Sequence, residues 1–471
     1  WKNRNNKPQP KARFQELPVV TVQLPMFNEK FVVDRLLESV AALDYPQDKL
    51  EIQILDDSTD DTTEQCYRKV EELKSRGFDA VCIHRTDRTG FKAGALEAAT
   101  KVAKGEFLLI LDADFVPEPD LLQKTIHFFT DENVGLVQTR WGHINREYNL
   151  LTRIQGMYLD GHFAMEQTAR NRSGRFFTFN GTAGIWRKCV IGDAGGWSHD
   201  TLTEDMDLSY RVQLRGWRFI YLNDVVTPAE LPVDMDGFKS QQHRWTKGSI
   251  QVCQKILLDI WRSNAPLKAK VEATTHLTCN YSYLLLALLC FLVYPICTQR
   301  IPENETVFMW FVNVALFFMT SVAVCIFYMS AQIVVRPKSW WKELPYLPLL
   351  LTLSVGMAVN NAKAVLEAIF GHQSAFVRTP KYGVDRKEDR RHVSQLKRNG
   401  YRAIKSVVIP VLEIACGTFF LNLIIIMIRQ GHYLSPILMI PFLGFYYTGF
   451  CSLGRMISNL LPAKQTAKAK N

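Results

Sequence analysis

The sequence has no Cys-x-x-Cys pair, although it holds ten cysteines, at 66, 82, 189, 253, 279, 290, 297, 325, 416 and 451. That spacing excludes the common zinc and dithiol motifs. Several of these cysteines lie in apolar stretches, where a thiol packs as a small hydrophobe. Glycine is scarce, 26 of 471 residues, and aromatic residues make up 11%, which excludes collagen-like repeats and disorder. No secretory signal peptide is visible. The chain starts at Trp1 with a basic run behind it, as expected of an N-terminus clipped after an earlier span. No nucleic-acid-binding motif accompanies the net charge of +10, so nucleic acid is not an expected partner. The Lys/Arg excess instead sits beside apolar stretches, at Lys2 to Arg13 and at Arg378 to Lys405, as it does in the cytoplasmic loops of membrane proteins.

Charge itself is missing from three stretches, 273–299, 306–335 and 430–454. Each is longer than the roughly 18 residues that mark a membrane-span candidate. The mean hydropathy of −0.06 therefore averages a charged first half with an apolar second half. Spans are expected at 276–297, 307–330, 407–428 and 434–454. The stretch 344–370 is ambiguous, with Pro345 and Pro348 at its front and Asn360, Asn361, Lys363 and Glu367 at its rear. Basic residues flank it on both sides, ten of them between 371 and 405. The positive-inside rule then favours a hairpin or re-entrant segment over a single span. Residues 1–17 read as a basic membrane-flanking lead-in. Residues 247–265 read as an amphipathic helix on the membrane surface, with a domain-edge helix as the competing assignment.

Between 18 and 246, short apolar runs alternate with helical patterns. Strands are expected at Val19–Leu24, Glu51–Leu55, Ala80–His84 and Phe107–Leu111. Helices are expected at Val32–Leu43, Thr62–Arg76, Ala93–Ala103 and from about Pro119. This alternation predicts an α/β domain with a mainly parallel sheet, whose ligands bind beyond the carboxyl ends of the strands. Those ends carry Phe27, Asn28 and Glu29, then Asp56 and Asp57, then Asp112 and Asp114. So many carboxylates at one sheet edge call for a cation or a polyhydroxyl ligand.

Asp112 and Asp114 are two apart after an apolar strand, so their side chains share a face. Together they suit a hard divalent cation, Mg²⁺ or Mn²⁺, that also binds phosphate oxygens. Asp205, within Thr203-Glu204-Asp205, is the candidate general base, because displacement at a sugar needs a carboxylate to take the acceptor proton. The competing assignment makes Thr203 a helix cap with acids behind it. In Gln241-Gln242-His243-Arg244-Trp245, Arg244 suits a leaving diphosphate and Trp245 a sugar face. Here the competing assignment is an interfacial aromatic belt.

Asp56-Asp57, Asp112-Ala113-Asp114, Thr203-Glu204-Asp205 and Gln241-Gln242-His243-Arg244-Trp245 occur in that order. The set resembles the D, DxD, TED, QxxRW motifs of family 2 processive glycosyltransferases, which include cellulose, mannan and hyaluronan synthases. The chain is most similar to the cellulose synthase-like A (mannan synthase) and C (glucan synthase) branch. That similarity rests on Pro25-Met26-Phe27-Asn28-Glu29, Lys92-Ala93-Gly94-Ala95-Leu96, Phe179-Asn180-Gly181-Thr182-Ala183-Gly184 and the Gln-Gln-His-Arg-Trp form itself.

The resemblance implies an α/β GT-A (Rossmann-like) cytosolic domain over 18–246 and an α-helical multi-pass transmembrane channel over 276–460. It implies a nucleotide-sugar site of Phe27, Glu29, Asp56, Asp57, Lys92, Asp112, Gln241 and Arg244. Asp112 and Asp114 would hold Mg²⁺ or Mn²⁺. The acceptor site would use Phe179, Asn180, Gly181, Thr182, Glu204 and Trp245, with Asp205 as base. Phe376-Val377-Arg378-Thr379-Pro380-Lys381, within a cytosolic loop 371–405, is similar to the gating loop of cellulose synthases and would bring Thr379 and Lys381 to the diphosphate. Arg378 and Pro380 depart from that pattern. The activity implied is processive, inverting transfer from UDP-glucose or GDP-mannose to a growing β-linked, β-1,4 glucan or (gluco)mannan, with translocation across the bilayer. The membrane would be the bacterial inner membrane or the Golgi, and accessory subunits or a homo-oligomer stay open. Two alternatives are a glycolipid enzyme that transfers one sugar and an inactive scaffold, the latter disfavoured by intact Asp-x-Asp and Asp205.

Overall fold

The computed structural model describes residues 6–298, 303–372, 379–384, 407–430 and 436–460. Seven strands form one mixed sheet: β1 Val20–Met26, β2 Leu50–Asp56, β3 Asp79–His84, β4 Phe107–Ile110, β5 Val134–His143, β6 Gly184–Arg187 and β7 Arg218–Ala229. Their order is β3-β2-β1-β4-β6-β5-β7. β1 is parallel to β2 and β4, β2 to β3, and β5 to β7. β6 runs antiparallel to both of its neighbours.

β1, β2 and β4 are apolar runs because both faces of the sheet are covered. Val20, Val22 and Leu24 pack with Leu36, Val40, Cys66 and Val70 from helices Val33–Ala41 and Thr62–Ser75. On the other face, Leu108 and Ile110 pack with Leu96, Ala99, Leu208 and Val212 from helices Phe91–Val102 and Glu204–Leu214. The first four strands and first three helices lie within two residues of their expected bounds. The helix expected from Pro119 is shorter, Leu121–Thr125, and tightens into a 3₁₀ turn at Ile126–Thr130.

A 28-residue helix, Met235–Arg262, runs through both Gln241–Trp245 and the stretch read as amphipathic. Buried and part-buried polar pairs fasten it to the apolar helices. Lys239 Nζ donates to Glu413 Oε2 at 2.5 Å, to the Thr448 carbonyl at 3.0 Å and to Ser452 Oγ at 2.9 Å. Lys247 Nζ donates to Glu367 at 3.1 Å and to the His372 carbonyl at 2.6 Å, and Arg455 pairs with Asp234.

Among the described residues, two helical runs are long and apolar enough to cross a membrane, Trp340–Ile369 and Val408–Arg429. A third would come from Leu267–Thr278 and Tyr281–Pro295, which meet at a 56° bend. The expected span at 307–330 falls inside helix Glu303–Val335, and that at 434–454 overlaps helix Pro436–Leu460 from Pro436 onward. The hairpin expected over 344–370 is not what forms, because Trp340–Ile369 is one helical run. Pro348 sits in the first turn of its Leu347–Gly356 segment, where a missing N–H costs nothing. Asn360, which argued against a span, donates to the Lys239 carbonyl at 3.1 Å.

Candidate active site

The carboxyl ends of β1, β2 and β4 open into one cleft, where an α/β sheet is expected to bind its ligand. Phe27, Glu29, Asp57, Lys92, Asp112 and Asp114 line it from the sheet side. Asn180, Gly181, Glu204, Asp205, Gln241, Arg244, Trp245, Thr379 and Lys381 also line it. Phe376, Val377 and Arg378, and loop positions 385–405, lie outside the described residues. Asp56, Phe179 and Thr182 sit behind the wall. Asp56 is fully buried, accepting from Ser58 N–H at 3.0 Å and facing His84 Nδ1 at 2.7 Å. Phe179 packs edge-on against Trp186, centroids 5.5 Å apart. Thr182 Oγ1 accepts the Asp112 N–H at 2.8 Å, so it holds the Asp-x-Asp turn.

Lys92 is the hub. Its Nζ donates to Asp112 Oδ1 at 2.5 Å and to the Gly181 carbonyl at 2.8 Å. Burial alone would push the Lys92 ammonium down, but Asp112 and Glu204 outweigh it and hold the pKa above its ordinary value. Gly181 is in the left-handed region, φ +80°, and a Cβ there would stand 3.0 Å from Asp205 Oδ2. Glycine is thus required twice, for the conformation and for the approach of the carboxylate. Three non-glycine residues at these turns, Asn28, Phe91 and Ala183, also have positive φ. Such strain persists only where surrounding contacts enforce it, commonly at binding sites.

Thr203 occupies the N-cap position of helix Glu204–Leu214 but makes no side-chain cap hydrogen bond. It lines the cleft instead, and a Cβ on Gly248 would strike its side chain at 2.5 Å. Glycine there lets helix Met235–Arg262 press against the Thr203–Asp205 turn. Burial, then the neighbouring Glu204, pushes the Asp205 carboxyl up to about 7. Glu204 is raised as well, again by burial first. Burial lowers the Arg244 guanidinium to about 10 against the pull of Glu204 and Asp112. Its Nη2 donates to Thr379 Oγ1 at 3.0 Å.

Sequence reasoning missed several residues. Glu230, just after β7, accepts the N–H groups of Tyr382, Gly383 and Val384 at 2.9, 3.0 and 3.2 Å. Its own N–H donates to Asp114 Oδ2 at 3.2 Å, and Lys381 Nζ donates to the same oxygen at 2.6 Å. A lone acid after a strand gives no pattern to find. Trp141 and His143 also line the cleft. Trp141 stands 6.5 Å from Trp245 and 4.8 Å from Phe163, centroid to centroid, forming an aromatic shelf. Arg85 grips Asp57 through two bonds of 2.8 and 2.6 Å. Arg85 and Arg88 belong to none of the motifs singled out in the sequence.

The donor set fits a hard divalent cation. Lys92 takes one oxygen of Asp112, while Lys381 and Glu230 N–H share one oxygen of Asp114. The second oxygen of each carries no hydrogen bond among the described residues. No cluster of three His, Cys, Asp or Glu ligands occurs among the described residues. A cation here would draw its remaining ligands from phosphate and water, as Mg²⁺ commonly does.

Residues 18–248 match the glycosyltransferase-like family 2, and residues 184–431 match cellulose synthase. The chain is 45% identical over 251 residues to glucomannan 4-beta-mannosyltransferase 2 of Arabidopsis thaliana, covering 52% of this chain and 47% of that protein. It is 40% identical over 277 residues to glucomannan 4-beta-mannosyltransferase 1 of Oryza sativa subsp. japonica, covering 58% and 53%. The chain thus spans about half the length of these curated relatives. In fold it is similar to the mannosyltransferase PcManGT of Pyrobaculum calidifontis, solved with GDP-Man and Mn²⁺, with a TM-score of 0.55 at 21% identity over 79% of this chain and 93% of that one. That likeness identifies the sheet and its helices as a GT-A glycosyltransferase fold. The cellulose synthase match covers 184–431, more than half of the 471 residues, and the chain belongs to the cellulose synthase family.

Proposed function

We propose that this protein is a membrane-embedded, inverting, processive glycosyltransferase that extends a β-1,4-linked mannan or glucomannan from GDP-mannose. One observation carries the reading: Lys92 bridges Asp112 to the Gly181 carbonyl beside Asp205. The phosphate-binding side and the base side of the cleft are thereby within reach of one sugar. The choice of GDP-mannose over UDP-glucose rests on the curated relatives, both named mannosyltransferases.

Phe27, Glu29 and Asp57 border the nucleoside, while Asp56 holds the turn beneath them. Asp112 and Asp114 would hold Mg²⁺ or Mn²⁺, which when bound would neutralise charge on the leaving diphosphate. Lys92 and Arg244 add fixed positive charge at the same place, and Thr379 and Lys381 approach it from the loop. Gln241 borders the donor and Trp245 positions the acceptor end, with Trp245 and Trp141 as a stacking surface. Asn180 and Glu204 complete the acceptor site. An acceptor hydroxyl oxygen attacks the anomeric carbon, and the bond from that carbon to the phosphate oxygen breaks. GDP leaves, and the hydroxyl proton passes to the Asp205 carboxylate. Attack opposite the leaving group inverts the anomeric centre. The apolar helices carry the chain in the bilayer, with the catalytic domain on the cytosolic face, and pass the polymer across it.

Labelled GDP-mannose and UDP-glucose, offered in parallel with Mn²⁺ or Mg²⁺ to protein reconstituted in vesicles, test the donor. Transfer from GDP-mannose, reduced by roughly 10²–10⁴-fold in Asp205→Asn, is the expected result. Transfer from UDP-glucose alone would refute the mannosyl reading, and unchanged transfer in Asp205→Asn would refute the base.

A further inference from the structure

Phe27 follows β1 and Arg88 follows β3, two strands apart in the sheet, yet their side chains meet on the cleft wall. The Arg88 guanidinium carbon lies 3.3 Å from the centroid of the Phe27 ring. Two flat groups in such contact leave no room for a third, which would need about 3.5 Å on each side. A base stacking on this face of Phe27 must therefore displace Arg88.

Among the described residues Arg88 is held by ring contacts and a long ion pair to Asp57, not by side-chain hydrogen bonds. Its Nε is buried with no hydrogen-bond partner among the described residues. The carboxylate of Asp57 is 4.0 Å from that nitrogen, and both Asp57 oxygens are already held by Arg85. The side chain is one-quarter exposed, so its tip has solvent to swing into. The Phe91 ring, whose backbone is held at φ 48°, is the other aromatic group beside it, 5.4 Å from the guanidinium.

We propose that Arg88 is a base clamp: when nucleotide binds, its guanidinium lifts from Phe27 and closes over the base, which is then held between ring and guanidinium. This rests on the nucleotide-sugar reading of the cleft. Phe27 exchanges a cation–π contact for base stacking, and the planar guanidinium stacks on the second face of the heterocycle. The unpartnered Nε–H is a donor for an acceptor on the base edge. Lysine would keep the charge but not the plane, which separates this role from simple attraction of phosphate.

The test is calorimetric binding of GDP, UDP and inorganic pyrophosphate, each with Mn²⁺, to the full chain in nanodiscs. Wild type, Arg88→Ala and Arg88→Lys are compared. Both variants should lose about tenfold or more in affinity for whichever nucleoside diphosphate the wild type prefers. Pyrophosphate affinity should stay within about twofold, which also reports that the variants are folded. Equal losses for pyrophosphate and nucleotide, full rescue by lysine, or unchanged nucleotide binding would each overturn the clamp. A wild-type preference for UDP would refute the GDP-mannose reading separately, because the clamp is judged within the preferred nucleotide.

Discussion

At the scale of single residues, Asp205 sets a pH dependence that can be signed. Burial and Glu204 raise its carboxyl to about 7, and only its ionised form can take a proton. kcat/KM should therefore rise with pH through about 7 and fall below it. The same shift makes ionising the buried pair unfavourable to the fold, so that contribution to stability is present at low pH and is lost as pH rises through about 7. A rate profile flat from pH 5.5 to 8.5 would show that another group is the base. Gly181→Ala is a second residue-level prediction. Its methyl group would meet Asp205 Oδ2 at 3.0 Å on a backbone at φ +80°. Activity should fall by at least about tenfold, since a misplaced catalytic group is costly to rate, and the melting temperature should fall as well, because alanine is strained at this φ. Asp56, Asp57, Asp112 and Asp114 were legible in the sequence because strand ends deliver them to one edge, whereas Lys92, in the first turn of a helix, came only from the family resemblance. Arg85, Arg88, Trp141 and Glu230 were not legible, because they have no fixed spacing and act through tertiary neighbours.

At the scale of elements, the segment Thr379–Val384 is held by one buried carboxylate. Glu230 accepts three consecutive backbone N–H groups from it, and Lys381 reaches Asp114 from the same segment. Glu230→Gln keeps the shape but weakens those charge-assisted bonds, each worth about 1.5–3 kcal/mol. Donor KM should rise several-fold while the melting temperature changes little; an unchanged KM would show that the segment does not serve the donor. Helix Met235–Arg262 presents the opposite case. Lys239→Ala would leave Glu413 buried and unpaired, a loss of about 3–5 kcal/mol. Lys239→Met with Glu413→Met should recover most of it, as read by thermal unfolding in detergent. Strands β1 to β4 were legible as apolar runs. β5 was not, since Gln138 and Thr139 are buried in it as polar residues that bind the Ala183 carbonyl. The hairpin expected over 344–370 followed from its basic flanks; the stretch is instead one helical run, and its Asn360 and Glu367 are partners of Lys239 and Lys247 on helix Met235–Arg262.

At the scale of the whole molecule, one long helix links the site to the apolar half. It carries Gln241, Arg244 and Trp245 toward the cleft, while Lys239, Lys247 and Asp234 tie it to Glu413, Glu367 and Arg455. On the proposed processive reading, polymer length is the property that follows. The most direct measurement is the size and linkage of the labelled product made from GDP-mannose by the reconstituted chain. The account predicts long chains that an endo-β-1,4-mannanase cuts to small oligosaccharides. Label recovered only as a single sugar on a chloroform-soluble lipid would contradict it.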